Sequence, residues 1–400
     1  MNFLNEVDHT KADEEINFGN MPIANAFFED QIEHKTFNMT VGYFDSCKLV
    51  QLETQPEASD MFNDSYAFIT GTSQSMVNHF HNIADKLSQR LSWKDESIVM
   101  EVGCNDGSFL EQVKQYTQNT IGVEPSNNVA EIAREKGIEV YTEFFGSKFS
   151  GIANLENKID TIYAANCICH IPDINDVFST VEKLLSQNGY FVYEDPYLGS
   201  MISLGSFDQI YDEHTYIFSV TAVSKLAEKH GLRLVDCEWI PTHGGSMRYF
   251  ITKSNDQVEE NIDSWLSYEK IFITTETFSL FKNQIRFAGE VLKKKLISLK
   301  KMGVEVYGFG ATSKSTTILN YYGIDKNFIT KIYDNSPTKI GCVTPITDIP
   351  IVSDNEWETD NPQAVFLFAW NHRKEIEKKY GFSSDMQVLT HLRSDIESSM

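Results

Sequence analysis

Short apolar runs alternate with amphipathic stretches over most of the chain, and the alternation starts abruptly. Ser97–Val102 is apolar and too short for a helix, so it predicts a strand, followed by a glycine-containing turn and a helix from Ser108 to about Gln115. Thr120–Val123 repeats the strand pattern, Asn128–Lys136 the helix, and Asp160–Ala165 the strand again. A helix over Ile174–Leu185, a strand over Tyr190–Tyr193 and a helix over Thr221–His230 follow, and Arg233–Trp239 with Met247–Thr252 reads as a closing hairpin. Strands that alternate with helices need crossover connections, which gives a parallel sheet and an α/β fold. The pattern restarts near the end: Glu305–Phe309, Ile329–Tyr333 and Ala364–Phe368 read as strands, with a helix over Ser313–Tyr322. Two doubly wound units are therefore expected. Between them, 255 to 300 reads as a charged, solvated helical connector carrying Lys293, Lys294, Lys295, Lys300 and Lys301. Residues 1 to about 80 look irregular, apart from a helical periodicity over Met76–Leu91.

Four hundred residues are too many for one typical core, so two or three domains are expected. The net charge of −23 argues against nucleic acid as a partner, because such a surface repels phosphate backbones. A phosphate-bearing substrate must then be held by local donors. The six cysteines, at 47, 104, 167, 169, 237 and 342, show neither disulfide-framework nor metal spacing, which suits a reducing cytoplasm. Met1–Thr10 is polar, so no secretory signal is expected, and no apolar run approaches the roughly 20 residues of a membrane span.

The segment "SIVMEVGCNDGSFL" carries the first candidate site. Glu101 ends the strand, and Gly103 and Gly107 flank a tight turn containing Asn105 and Asp106. Such a turn lets backbone approach a ligand at the carboxyl edge of a sheet. Its spacing, E-x-G-x-x-x-G, is not the G-x-G-x-x-G of dinucleotide folds, and it resembles the first motif of class I methyltransferases. Their ligand has no pyrophosphate, so a second acid is needed for the ribose hydroxyls. Glu124, followed by Pro125 at the end of "TIGVEP", supplies it. A generic strand–helix turn with Glu124 as a solvent-facing terminator is the alternative. The third strand ends in "YAANCICHIPD", which puts Asn166 and His170 at the same edge.

"QIYDEHTYIFS" gathers Tyr211, Asp212, Glu213, His214 and Tyr216. So many titratable groups past a strand end are costly to bury without purpose, although a polar surface loop would also look like this. Removing a proton beside a ketone needs a base and donors for the enolate oxygen, and histidine and tyrosine fit these roles. Further on, "VEVYGFGATSKSTTILN" puts Gly308 and Gly310 before a helix that starts with Thr312, Ser313, Lys314 and Ser315. Amides at a helix start, with a lysine, suit a phosphate or pyrophosphate, and Asp334 stands in the position of a ribose acid.

Together "EVGCNDGSFL", "CHIPD", "YDEHTYIFS", "HGGSMRYF", "GNMPIANAF", "CKLVQL", "GFGATSKSTTILNYYGI", "DNSPTKIG" and "AWNHRKEI" resemble the sugar C-methyltransferases of deoxysugar pathways, in order and over nearly the whole chain. The resemblance implies three parts: a small N-terminal domain (1–80), an S-adenosylmethionine-dependent class I methyltransferase domain (81–255), and, after a connector (256–300), a C-terminal Rossmann-like domain (301–400). It implies that Glu101, Gly103, Asn105, Asp106, Gly107, Glu124, Pro125 and Asn166 bind S-adenosylmethionine. His214 becomes the base at C3 of a 4-keto-deoxysugar carried on dTDP or GDP, with Tyr211 or His170 at the enolate oxygen and Glu213 orienting the imidazole. Gly244, Gly245, Ser246, Arg248, Lys314 and Asn371 fall on the nucleotide-sugar side. The family holds zinc in its N-terminal domain with four cysteines, but here only Cys47 precedes residue 100, and Phe44 stands where a partner is expected. No zinc is expected, since one cysteine with His9 and His34 makes a poor tetrahedral site. Packing of Phe27, Phe28, Phe37 and Phe44 is expected to replace it. An O-methyltransferase on a similar sugar, a nicotinamide-dependent enzyme using the second unit, and a non-catalytic nucleotide-sugar binder are the competing readings.

Overall fold

The structure, a computed structural model, describes residues 11–28, 34–56, 69–72, 74–255 and 261–398, so His9 and part of the connector lie outside it. Three sheets organise the chain. The first is antiparallel and four-stranded: β1 (Glu14–Pro22), β2 (Thr36–Phe44) and β3 (Leu49–Leu52) pair in that order. The helix Gln74–Arg90 leads from it to the second sheet. That sheet takes β4 (Ile98–Val102), β5 (Asn119–Val123), β6 (Glu139–Tyr141), β7 (Ile159–Ala165) and β8 (Leu185–Pro196). The short β9 (Tyr216–Ile217) leaves it and pairs with β3, so the chain just after His214 completes the N-terminal sheet. The predicted irregularity of the first 80 residues is corrected by this sheet. Its interior is Ile16, Met39, Val41, Tyr43, Leu49 and Val50. Phe27, Phe37 and Phe44 pack against the large core cluster that includes this interior and extends into the other sheets, but Phe28 is exposed.

β10 (Arg233–Ile240) and β11 (Ser246–Thr252) form the expected hairpin and close the second sheet in the order β10-β11-β8-β7-β4-β5-β6. Strands β4 to β8 pair parallel, while β11 is antiparallel to both neighbours. Chain order reverses between β4 and β7. The carboxyl ends of strands at such a reversal are where ligands bind in open α/β sheets.

The connector is two helices, Ile262–Phe272 and Thr275–Lys301. The second is not merely solvated. Phe278, Phe281, Ile285, Leu292 and Leu299 recur at helical spacing and are buried, so the helix is a wall of the core with its lysines on the outer face. The third sheet takes β12 (Val306–Phe309), β13 (Ile332–Asp334), β14 (Ile351–Ser353), β15 (Ala364–Leu367) and β16 (Gln387–Leu389). It is parallel throughout, in the order β14-β13-β12-β15-β16, and reverses between β12 and β15. Among the described residues no helix is long and apolar enough to cross a membrane.

Candidate active site

The glycine turn after β4 is as tight as its sequence suggests. Gly103 has φ +70°, and a Cβ there would stand 2.6 Å from Cys167 Sγ on the loop after β7, so only glycine keeps both loops at these carboxyl ends. Glu101 is buried beneath the turn, and its Oε2 meets no hydrogen-bond partner among the described residues. Burial, then Asp106 and Glu124, pushes its carboxyl well above the usual range. Three acids face one another with Lys136 as the cation that lowers Glu101. Such a pocket suits a cationic ligand. The sulfonium and ammonium of S-adenosylmethionine supply that charge, and the unpartnered Oε2 of Glu101 and Oδ1 of Asn166 are polar atoms such a ligand could meet.

The acids divide the work differently from the sequence reading. Asn105 Oδ1 accepts from the Thr70 amide at 3.0 Å and Asp106 Oδ2 from the Gly71 amide at 2.9 Å. These two side chains fasten the segment before the helix Gln74–Arg90 across the turn. Gly107 caps the helix Ser108–Val113. Glu124 braces the turn, accepting from the Asn105 amide at 3.1 Å and the Ser126 amide at 2.8 Å. Each carboxylate oxygen keeps a lone pair for a ribose hydroxyl. Pro125 follows, half-buried. Glu124→Ala is therefore expected to weaken S-adenosylhomocysteine binding by about 1.5–3 kcal/mol, roughly ten- to a hundredfold, and to lower the thermal midpoint by releasing two amides. Calorimetric titration checks the first effect, and parent affinity in the variant would contradict it.

At the same edge, the turn Ile168–His170 and the segment after residue 208 meet. The His214 ring lies against Tyr211, with centroids 4.1 Å apart, and stacks on His170 at 5.1 Å. His214 Nδ1–H donates to the Gln209 carbonyl at 2.6 Å, which fixes the tautomer and leaves the Nε2 lone pair to accept a proton. The orienting partner expected in Glu213 is thus the Gln209 backbone, while Glu213 turns away and accepts from Asn25 Nδ2 at 2.6 Å. Burial, then His170 beside it, holds His214 well below its usual value, and burial brings His170 down to about 4. Both rings are neutral near pH 7. The acids run the opposite way: burial lifts Asp212 to about 7, and burial with Asp212 lifts Glu213 to about 8. Asp195, at the end of β8, accepts from the Cys169 amide at 2.9 Å and is raised by burial to about 8. It belongs to this wall, yet it is a residue the sequence reading passed over in "EDPYLGS".

The third wall comes from the C-terminal unit. Gly244 has φ +88°, and a Cβ there would stand 2.0 Å from the Trp370 ring, so the Thr242–Gly244 turn and the Trp370–His372 turn close on each other. Asn371 is half-buried in the second turn. Lys314, on the first turn of the helix Ser313–Tyr322, is buried with no hydrogen-bond partner on Nζ among the described residues, and that atom lies 5.5 Å from the Trp370 ring centre. Its charge is felt by His214, His243 and His372. Behind it Asp208 accepts from Trp370 Nε1 at 2.7 Å and pairs with His391 Nε2 at 2.8 Å. Gly244, Gly245, Lys314 and Asn371 are thus brought to one side.

Arg248 and Ser246 are not free to bind a ligand. Arg248 donates to Glu194 at 2.9 Å and to Glu238 at 2.7 Å, and Ser246 Oγ donates to the Thr242 carbonyl at 3.0 Å. Both shape the wall instead. His79 also reaches Glu194, a contact invisible in sequence because 115 residues separate the two. Asp334 is arranged like Glu124, with one oxygen accepting from the Ala311 amide at 2.7 Å and the other from the Ser336 amide at 2.8 Å.

Among the described residues no three-ligand group includes Cys47, a buried thiol pushed up to about 11 by burial, whose sulfur donates to the Phe44 carbonyl at 3.8 Å. Cys169, His170 and His214 form the one three-ligand group among the described residues, with atoms within 4.8 Å. The two imidazoles stack, so their in-plane lone pairs run side by side rather than converging as a tetrahedral ion needs.

Residues 77–236 match the family described as "Methyltransferase domain", and 241–387 match "C-methyltransferase C-terminal domain". C-methyltransferase NovU of Streptomyces niveus is 28% identical over 372 residues, covering 90% of this chain and 88% of that protein. A sterol 24-C-methyltransferase of Saccharomyces cerevisiae is 30% identical over 128 residues, 30% of this chain and 32% of its own length. Among solved structures, a putative methyltransferase complexed with the Trm112 activator of Haloferax volcanii aligns with TM-score 0.40 and 13% identity, over 48% of this chain and 97% of that one. The chain is an S-adenosylmethionine-dependent C-methyltransferase, in which a class I methyltransferase domain is followed by a C-methyltransferase C-terminal domain.

Proposed function

We propose that the enzyme methylates C3 of a nucleotide-diphosphate-linked 4-keto-deoxysugar, on dTDP or GDP, through an enolate. The observation that carries this reading is the tautomer of His214: Nδ1 is tied to the Gln209 carbonyl, and Nε2 remains a proton acceptor between Tyr211 and His170. In the proposed step Nε2 takes the C3 proton, and the C–H electron pair moves into the carbonyl to give an enolate. Tyr211, or His170 in its neutral form, donates to that oxygen. The carbon then takes the methyl group that the bound sulfonium supplies, and the proton leaves His214 for solvent. Asn371 and the Gly244 turn line the sugar-nucleotide side, with Lys314 as the local cation for the diphosphate in an otherwise acidic protein.

His214 is a weak base while the pocket is empty of anions. A diphosphate nearby favours the imidazolium, so substrate binding raises the basicity of the ring when it is needed. Exchange of the C3 proton into deuterated water, with S-adenosylhomocysteine in place of the donor, tests the reading without methyl transfer. The expected result is protein-dependent loss of one sugar proton signal beside the ketone. Retention of that proton while methyl transfer still proceeds would favour O-methylation.

A further inference from the structure

Residues Ile23 to Phe28 leave β1 and run between the catalytic segment and the C-terminal unit. The Ala24 amide donates to Asp212 Oδ1 at 3.0 Å, and Asn25 Nδ2 donates to Glu213 Oε1 at 2.6 Å. From the other side, Ser313 Oγ donates to Asn25 Oδ1 at 3.1 Å and Thr316 Oγ1 to the Ala24 carbonyl at 2.8 Å. The Val343 amide fixes the end of the segment through the Phe28 carbonyl at 2.8 Å. Gln55, from the same N-terminal part, donates to the Asp212 carbonyl at 3.2 Å. A carboxamide offers a donor and an acceptor on one rigid plane. Asn25 uses the donor on the catalytic segment and the acceptor on the C-terminal helix.

We propose that Asn25 is a positioning residue of the active site: it sets the orientation of the Glu213 carboxyl and, through Ser313, makes that orientation depend on the docking of the C-terminal unit. This rests on the reading above in making His214, the residue next to Glu213 on the same segment, the base. It also gives the N-terminal sheet a task, since β1 and β2 hold the strap at one end while β3 and β9 hold the catalytic segment at the other.

The charge balance around Glu213 supplies a signature that simple packing would not. Facing it are Asp212 from its own segment, Asn25 from the strap and Lys339 from the C-terminal unit. Burial and Asp212 favour the neutral acid, whereas the Asn25 donor and Lys339 favour the carboxylate. Removing the donor is therefore expected to raise the titration midpoint of Glu213.

Two variants of the full chain test this. Asn25→Ala removes the side chain, and Asn25→Asp keeps the shape and the Ser313 link while replacing the donor with an acceptor. Carbon-13 labelling of glutamate carboxyls, with Glu213→Gln for assignment, reads the midpoint of Glu213 with no substrate present. Both variants are expected to raise that midpoint. Both should also lower kcat by roughly ten- to a hundredfold with S-adenosylhomocysteine affinity unchanged, the size of effect that misplacing a group at a site by about 1 Å produces. A Glu213 midpoint at the parent value in a folded variant would overturn the proposal. So would parent kcat in Asn25→Asp. If no keto-sugar nucleotide is turned over by the parent, the proposed substrate fails, and the carboxyl titration still decides the role of Asn25.

Discussion

His214→Asn is expected to bind both S-adenosylhomocysteine and the sugar nucleotide while slowing carbon deprotonation by about 10²–10⁴-fold, the usual contribution of a general base. Asparagine can still donate to the Gln209 carbonyl, so the 2.6 Å anchor that holds the ring has a substitute. What asparagine lacks is a basic nitrogen. Deuterium wash-in at C3 isolates this step from the methyl transfer that follows. Tyr211→Phe should lose less, because it removes one donor to the enolate oxygen and leaves His170, and His170→Asn should also lose less, because asparagine keeps an N–H donor there. Glu213→Gln should be milder still for the imidazole itself, since Glu213 faces Asn25 rather than His214. Wash-in at the parent rate in His214→Asn would move the base elsewhere, and His170 is the next nitrogen in the pocket.

A loss of comparable size, in stability rather than rate, is expected from Asp208→Ala. Asp208 is fully buried and joins the methyltransferase segment to the C-terminal unit across 162 and 183 residues of sequence. Burial pushes its carboxyl up, but His391, Lys314 and Trp370 overcome that and hold it below the usual range. Alanine leaves the Trp370 and His391 donors without an acceptor and the Lys314 cation without its counter-charge. Breaking a buried pair by removing one partner costs about 3–5 kcal/mol. Denaturant melts should therefore show a midpoint shift of that size, with the C-terminal unit affected first. Because the folded carboxyl is depressed, this contribution is present above the unfolded value of 3.8 and is lost as pH falls through the lower folded value. A stability change within about 0.5 kcal/mol, the range of ordinary surface substitutions, would contradict the latch.

The two Rossmann-like sheets were legible because their strands are local signals. β4, β5 and β7 are rich in apolar residues and bounded by glycine or polar turns, the mark of strands buried on both faces. The N-terminal sheet was not, because β1 ("EEINFGNMP") and β2 ("TFNMTVGYF") mix polar and apolar residues and their sheet is completed by β9, far along the chain. Three-residue strands such as β6, β14 and β16 carry too little pattern to stand out. The connector misled in a different way. Its lysines drew attention to the solvated face, while the spacing of Phe278, Phe281, Ile285 and Leu292 recorded a buried one.

The site divides along the same line. The glycine turn, Glu124 and the Tyr211–His214 cluster announce themselves by local density. The residue that orients His214 does not, because it acts through the Gln209 backbone carbonyl, which no side chain advertises. Asn25 and Glu213 meet across 188 residues, so only the fold reveals their pairing. Arg248 had the right chemistry for a phosphate but is held by Glu194 and Glu238, carboxylates whose positions sequence spacing could not supply.

The most direct measurement supplies S-adenosylmethionine labelled with carbon-13 on its methyl group, together with a nucleotide-linked 4-keto-deoxysugar, and locates the label by correlation NMR. The account predicts a methyl bonded to C3, the ring carbon beside the ketone, with S-adenosylhomocysteine formed in equal amount. A labelled methyl on a sugar oxygen, or label that stays on the donor with every such sugar nucleotide, would contradict it.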